Sequence, residues 1–227
     1  MLPIPIGVER SGRHGFPAFT ILLLLANAGV FAWAVFGPGI ERYHAQIVPA
    51  YGLVPAAWTV SSLITSQFLH ADLLHLVGNL LFLALAGGGV EERSGRLAYL
   101  TLYLAGGAVA ALVHIAACPG GDAMLRPAVG ASGSISAVLG SFAILYPTAR
   151  LRFFLLIWIF PITFTLPALV TLALWFAEQY LLSRGALAQD AVAYGAHVGG
   201  FVYGFVTGVA LRVALPTARE GHRNRRE

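Results

Sequence analysis

Ser132 has the surroundings of an accessible nucleophile. It stands in the run Gly130-Ala131-Ser132-Gly133, whose small neighbours leave the hydroxyl uncovered and allow a second backbone to approach closely. The soluble hydrolase motif G-x-S-x-G is not matched, because Ser134 occupies the position of its last glycine. A serine in an apolar helix also has a structural interpretation, since it often bonds to a carbonyl one turn earlier or packs against another helix.

Three other side chains have the types that serine chemistry requires. His197 follows Gly195-Ala196, and a neutral imidazole can take the proton of a serine hydroxyl. His75 and Asn79 are four residues apart and share a helix face. With the backbone N–H of Ser132, they offer donors for the oxygen of a tetrahedral intermediate. Each alone has a structural alternative as a hydrogen bond between helices.

The composition predicts that these residues lie in a membrane. Of 227 residues, 58% are hydrophobic and only 11% are charged, whereas a soluble domain carries about 25% charged residues. Six charge-free windows can each supply a spanning helix of about 20 residues. They are His14–Ile40, Leu73–Val90, Leu97–Gly121, Pro127–Ala149, Phe153–Ala177 and Ala191–Leu211.

Local signals refine two of these windows. Asp72 is a suitable N-cap for the second helix. Pro161 and Pro167 interrupt the fifth window, so its span is expected nearer Leu166–Leu182, with the first part lying along the membrane.

The predicted fold is an all-α membrane protein with a bundle of six transmembrane helices. Segment 43–71 is charge-free but rich in Pro, Gly, Ser and Thr, and is predicted to be a long interfacial loop between helices 1 and 2. Residues 1–16 are interpreted as a cytoplasmic N-terminal segment, 17–212 as the membrane domain and 213–227 as a basic cytoplasmic tail.

The arginines predict the orientation. With the N-terminus in the cytoplasm, Arg42, Arg126 and Arg184 lie outside and every other arginine lies inside. This distribution predicts that both termini are cytoplasmic, and it favours a topology signal in the tail over nucleic-acid binding. The expected location is a bacterial-type inner membrane. Ser132, His197 and His75 then all lie near the outer ends of even-numbered spans.

Four segments resemble those of the rhomboid intramembrane serine proteases, and together they cover roughly residues 17–212. They are His70-Ala71-Asp72-Leu73-Leu74-His75 followed by Asn79, the stretch Gly88–Gly95, Gly130–Gly133, and Gly195-Ala196-His197 followed by Gly200 and Gly204.

The resemblance implies a dyad of Ser132, the nucleophile, and His197, the general base and acid, without a third acidic member. It also implies an oxyanion site near His75 and Asn79 and cleavage of transmembrane protein substrates within the lipid bilayer, with no cofactor or metal. The supporting positions are Gly130, Gly133, His70, Gly200 and Gly204. Because His70 precedes the Asp72 cap, it is expected to shape the loop. The oligomeric state stays open.

This sequence departs from the rhomboid pattern at two places. Many members carry Trp-Arg where Ser61-Ser62 stand here, and some place a tyrosine that stacks on the histidine where Ser136 stands here. His197 is therefore expected to be oriented in another way. Small and polar residues around Ser132, Ser134, Ser136 and Asn79 are expected to line a wet cavity.

Three alternatives belong to other classes. A metal hydrolase would use His70, His75 and His197, but their spacing is not HExxH. A transporter often shows repeated halves, and we see no such repeat. An inactive relative serving as a scaffold would be expected to lack Ser132 or His197, and both are present.

Overall fold

Six apolar helices form the bundle predicted from the charge-free windows, in a computed structural model that describes residues 4–9, 15–158, 160–184 and 193–215. Four are long enough to cross a membrane, and the fourth and fifth in chain order are shorter. The helices are α1 (Ala18–Phe36), α2 (Leu73–Ser94), α3 (Arg96–Ala117), α4 (Ser132–Leu145), α5 (Ala168–Arg184) and α6 (Tyr194–Ala214). The prediction of a multi-span helical membrane protein is confirmed.

Helix α4 lies in the centre of the bundle, where 12 of its 14 residues are buried. Its closest neighbour is α6, whose glycines face it. A Cβ on Gly204 would lie 1.8 Å from the carbonyl oxygen of Ala137, and one on Gly200 would lie 2.2 Å from that of Gly133. The two backbones are therefore in direct contact, and the Ser141 hydroxyl crosses the interface to donate to the Gly204 carbonyl at 2.7 Å.

A buried carboxylate joins α2 to the start of α1. Glu91 is only 4% exposed. It accepts hydrogen bonds from the backbone N–H groups of Phe19 and Thr20 at 2.9 and 2.8 Å, and from the Thr20 hydroxyl at 2.8 Å. These N–H groups have no partner within their own helix, and a negative charge there complements the helix dipole. The Gly88–Gly95 stretch thus fixes α1 against α2.

The loop between α1 and α2 contains a continuous helical stretch made of Ile40–Arg42, Tyr43–Ile47 and Val48–Tyr51, and a separate helical segment at Val60–Thr65. Thr59 caps that segment by accepting from the N–H of Ser62 at 3.1 Å, while the Ser62 hydroxyl accepts from the N–H of Thr59 at 2.9 Å. At the position where many rhomboids carry Trp-Arg, Ser62 therefore stabilises the loop through a reciprocal cap.

A three-stranded antiparallel sheet accompanies the helices and was not predicted. Its strands are β1 (Ile4–Glu9), β2 (Arg150–Ile157) and β3 (Phe160–Pro167), in the order β1-β2-β3. The stretch expected to lie along the membrane is thus a β-hairpin. The prolines in this stretch disfavour helix formation, and its Phe, Ile and Thr residues favour strand formation.

Part of the predicted N-terminal segment belongs to this sheet. Strand β1 pairs with β2, and Glu9 on β1 forms a salt bridge of 2.5 Å with Arg152 on β2. Most of the predicted basic tail lies outside the described residues.

Candidate active site

Ser132 and His197 are brought together by the contact between α4 and α6. Ser132 is the first residue of α4, and His197 lies in the first turn of α6. The Nε2 atom of His197 is 2.8 Å from the Ser132 hydroxyl oxygen, a hydrogen-bond distance. This geometry meets the requirement for a nucleophile and its general base.

Helix α4, which begins at Ser132, is shorter than the hydrocarbon core of a membrane is thick. Its 14 residues give a length of about 21 Å, against about 30 Å for the hydrocarbon core. The far end of α4 is followed by Arg150, whose charge belongs at the interface. A helix of this length does not reach both surfaces of the hydrocarbon core.

Gly130 brings His75 up to the serine. Its φ of +130° is one that residues with side chains rarely adopt. A Cβ at this position would lie 2.8 Å from Nε2 of His75 and 3.7 Å from the Ser132 hydroxyl oxygen. Only glycine therefore leaves room for the His75 ring beside Ser132.

Asn79 lies one helical turn below His75. Its side chain is buried, and its amide nitrogen donates to the carbonyl oxygen of His75 at 2.8 Å. A carboxamide nitrogen carries two N–H groups, so this bond uses one of them. Asn79 thus lies on the same face of α2 as His75, whose ring is next to Gly130.

His70 supports His75 from the loop. It is completely buried, and its ring meets that of His75 edge-on, with centroids 5.2 Å apart. Tyr43 donates to the His70 carbonyl at 3.0 Å and accepts from its N–H at 2.9 Å. Burial, with a smaller contribution from His75, lowers the pKa of His70 to about 4, so the ring is neutral at neutral pH.

Helix α5 supplies two contacts to His197 that were not predicted. The Oε1 atom of Gln179 is 2.7 Å from Nδ1 of His197. The ring of Trp175, one turn earlier, stacks on the imidazole with centroids 6.1 Å apart and an interplanar angle of 27°. The sequence feature that could have indicated these contacts is the amide of Gln179, four residues after the aromatic Trp175 in an apolar helix.

Ser136 has a different role from the tyrosine found there in some rhomboids. Its hydroxyl is buried and donates to the carbonyl oxygen of Ser132 at 2.6 Å. Ser136 is not among the residues that line the cavity beside Ser132, and this bond to the preceding turn satisfies its hydroxyl inside the helix.

A small cavity of about 50 Å³ opens beside Ser132. Small residues from three helices form much of its wall, and Asn79 is not among the lining residues. The Ser134 hydroxyl, also in the wall, donates to the side-chain oxygen of Gln67 at 2.9 Å. The small residues include Gly107, Ala110, Gly133 and Ala196, and the polar ones include Gln67, His114, Ser132 and Ser134.

His70, His75 and His197, the ligands of the alternative metal hydrolase, do not form a metal site in the structure. Within the part of the chain that the structure describes, no group of three His, Cys, Asp or Glu residues is arranged to hold a metal ion. His70 and His75 contact each other, whereas both ring nitrogens of His197 have partners in Ser132 and Gln179.

Comparison with known proteins shows which family this chain resembles in sequence. Residues 57–214 match the model of the Rhomboid domain. "RHOMBOID-like protein 12, mitochondrial" of Arabidopsis thaliana is 34% identical, over 57% of this chain and 42% of its own length. "Presenilin-associated rhomboid-like protein A, mitochondrial" of Danio rerio is 29% identical, over 63% and 36% respectively.

"Rhomboid protein 1, mitochondrial" of Saccharomyces cerevisiae is 29% identical, over 85% of this chain and 63% of its own length. The chain therefore spans less than two thirds of each of these relatives. The family match extends over most of the chain and includes Ser132, His197, His75 and Asn79. This chain belongs to the rhomboid domain family.

Proposed function

We propose that this protein is an intramembrane serine endopeptidase that hydrolyses peptide bonds in or near transmembrane segments of membrane proteins. The observation that carries the proposal is the 2.8 Å contact between Nε2 of His197 and the Ser132 hydroxyl. This pair lies beside a cavity within an apolar helical bundle, where an ionisable side chain is costly and calls for a function.

The first half of the reaction acylates the serine. Ser132 Oγ bonds to the carbonyl carbon of the substrate, and its proton passes to Nε2 of His197. The carbonyl oxygen becomes an oxyanion. The donors proposed for it are His75, Asn79 and the N–H of Ser132, which is free of intrahelical bonds at the first position of α4. The C–N bond then breaks, and Nε2 returns the proton to the departing amine.

Water completes the cycle. A water molecule attacks the acyl-ester carbon and gives one proton to Nε2 of His197. When the C–Oγ bond breaks, that proton returns to Ser132 and the carboxylic acid leaves. The polar wall of the cavity, with Gln67 and Ser134, is a place for such water beside the serine.

The proposed setting is a bilayer, with transmembrane proteins as substrates. The arginine distribution supports both termini on the same, arginine-rich side. The bacterial-type inner membrane stays a prediction from the sequence, while the three relatives above carry the word mitochondrial in their names.

Covalent labelling tests the proposed function. A fluorophosphonate should label the detergent-solubilised wild-type protein, with the adduct mapped to Ser132 by mass spectrometry, and should not label Ser132→Ala. Cleavage of a transmembrane substrate should be unchanged by EDTA or phenanthroline. Absence of both labelling and cleavage would favour an inactive scaffold. Loss of cleavage on chelation, restored by zinc, would favour the metal hydrolase.

The proposed oxyanion donors predict a kinetic signature. Asn79→Ala should lower kcat by about ten- to a thousandfold with little change in KM, because its donor acts mainly in the transition state. His75→Ala should act likewise, and the double variant should lose less than the product of the two effects. Steady-state kinetics on one transmembrane substrate provide the measurement.

His70→Ala is the control for this pair, because His70 packs behind His75. Its effect on kcat should be smaller than that of either donor. A rise in KM alone for Asn79→Ala, or a larger kcat loss for His70→Ala, would contradict the assignment of the oxyanion site.

A further inference from the structure

Both nitrogens of the His197 ring have hydrogen-bonding partners on other helices. Nε2 faces the Ser132 hydroxyl on α4 at 2.8 Å, and Nδ1 faces Oε1 of Gln179 on α5 at 2.7 Å. Gln179 is only 7% exposed, so its amide oxygen has little access to bulk solvent. Among the residues that the structure describes, no carboxylate takes part in this chain of contacts, and the third position is occupied by an amide.

We propose that Gln179 is a positioning residue that selects the tautomer of His197 needed for catalysis, an inference that rests on the proposed function. A neutral imidazole carries one N–H, and a carboxamide oxygen can only accept a hydrogen bond. Opposite Oε1, the hydrogen must lie on Nδ1. Nε2 is left with the lone pair that accepts the proton of Ser132.

The same contact serves the next state of the reaction. Once the Ser132 proton has reached Nε2, the ring is an imidazolium and both nitrogens donate. The Gln179 oxygen still accepts from Nδ1, so no side chain has to reorient during proton transfer. A neutral amide also avoids the cost of burying a carboxylate at this position, where Gln179 has little access to solvent.

Trp175 restrains the ring in a second direction. Its stacked indole restricts the tilt of the imidazole plane, while the Gln179 bond restricts rotation within that plane. Both side chains come from one face of α5, and the adjacent Glu178 is exposed on another face. Helix α5 thus supplies the orientation that a stacked tyrosine at position 136 would otherwise provide.

Two substitutions separate this role from general packing. Gln179→Leu keeps a similar volume but removes the acceptor, and should lower kcat about ten- to a hundredfold at unchanged KM. Gln179→Glu keeps an acceptor and adds a negative charge. It should retain more activity than Gln179→Leu, and the acidic limb of its kcat profile should move to higher pH, because the carboxylate stabilises the imidazolium.

The other ionisable groups around His197 are the same in the wild-type protein and in both Gln179 variants. His75 on α2 and His114 on α3 act on it electrostatically, and the Tyr194 ring lies 6.2 Å away on α6 itself. Since no substitution alters them, a displaced acidic limb reports the new carboxylate. Glu178→Leu is the matched control on α5, with kcat and pH profile expected at wild-type values.

The measurements are kcat, KM and pH profiles on one transmembrane substrate, with circular dichroism and thermal unfolding for each variant. A Gln179→Leu protein within twofold of the wild-type kcat would overturn the inference, as would a Gln179→Glu protein with an unmoved acidic limb. If Gln179→Leu does not fold, the Gln179→Glu profile decides alone. Failure of the proposed function is separately visible as cleavage that persists in Ser132→Ala.

Discussion

Ser132→Ala and His197→Ala are each expected to reduce kcat for a transmembrane substrate by at least about 10⁴-fold. The first removes the atom that forms the acyl bond, and the second removes the only group in contact with that atom that can take its proton, among the residues that the structure describes. Because the two act as one unit, the double variant should be no worse than the poorer single variant. Single-turnover cleavage in detergent and in liposomes provides the measurement.

Stability separates loss of chemistry from loss of fold. Ser132→Ala removes a single partly exposed hydroxyl, so its unfolding midpoint should stay close to that of the wild type. Either variant folding normally and retaining near wild-type turnover would refute the dyad.

Gly200→Ala is expected to lower kcat by about a hundredfold or more and to destabilise the bundle by about 1–3 kcal/mol. The added Cβ would lie 2.2 Å from the Gly133 carbonyl oxygen, a backbone atom that cannot swing aside. Helices α4 and α6 would have to separate. Gly133 adjoins Ser132 and Gly200 lies one turn after His197, so the separation would fall on the catalytic pair.

Gly78→Ala is the matched control for this substitution. It also adds a methyl group to a membrane helix, beside Asn79, but no atom of another element in the described part of the chain lies within 4 Å of the new Cβ. Kinetics and thermal unfolding in the same detergent should show little change. A Gly200→Ala protein that behaves like Gly78→Ala would contradict the close approach of the two backbones.

The sequence by itself determined the features that depend on local composition. Charge-free runs predict the membrane helices because burying a charge in hydrocarbon is costly wherever the helix packs, and the window Leu73–Val90 became α2, Leu73–Ser94. Asp72 predicted the start of α2, and its carboxylate accepts from the His75 N–H at 2.8 Å. The four-residue spacing of Gly200 and Gly204 is also a local feature, because it puts both glycines on one face of a helix.

Only the tertiary structure decided which distant residues became neighbours. Strand β1 forms only because β2 pairs with it, since a six-residue strand has no stability of its own. Glu9 on β1 and Arg152 on β2, which are in contact, are 143 residues apart in the sequence. Gln179 carried no motif, and its contact with His197 depends on how α5 docks on α6. From the sequence, Ser136 could either line a cavity or form a hydrogen bond within its own helix. Because α4 is buried on nearly all sides, the Ser136 hydroxyl bonds to the carbonyl of Ser132 in the same helix. Helix docking depends on many weak contacts between residues far apart in sequence, which local patterns do not encode.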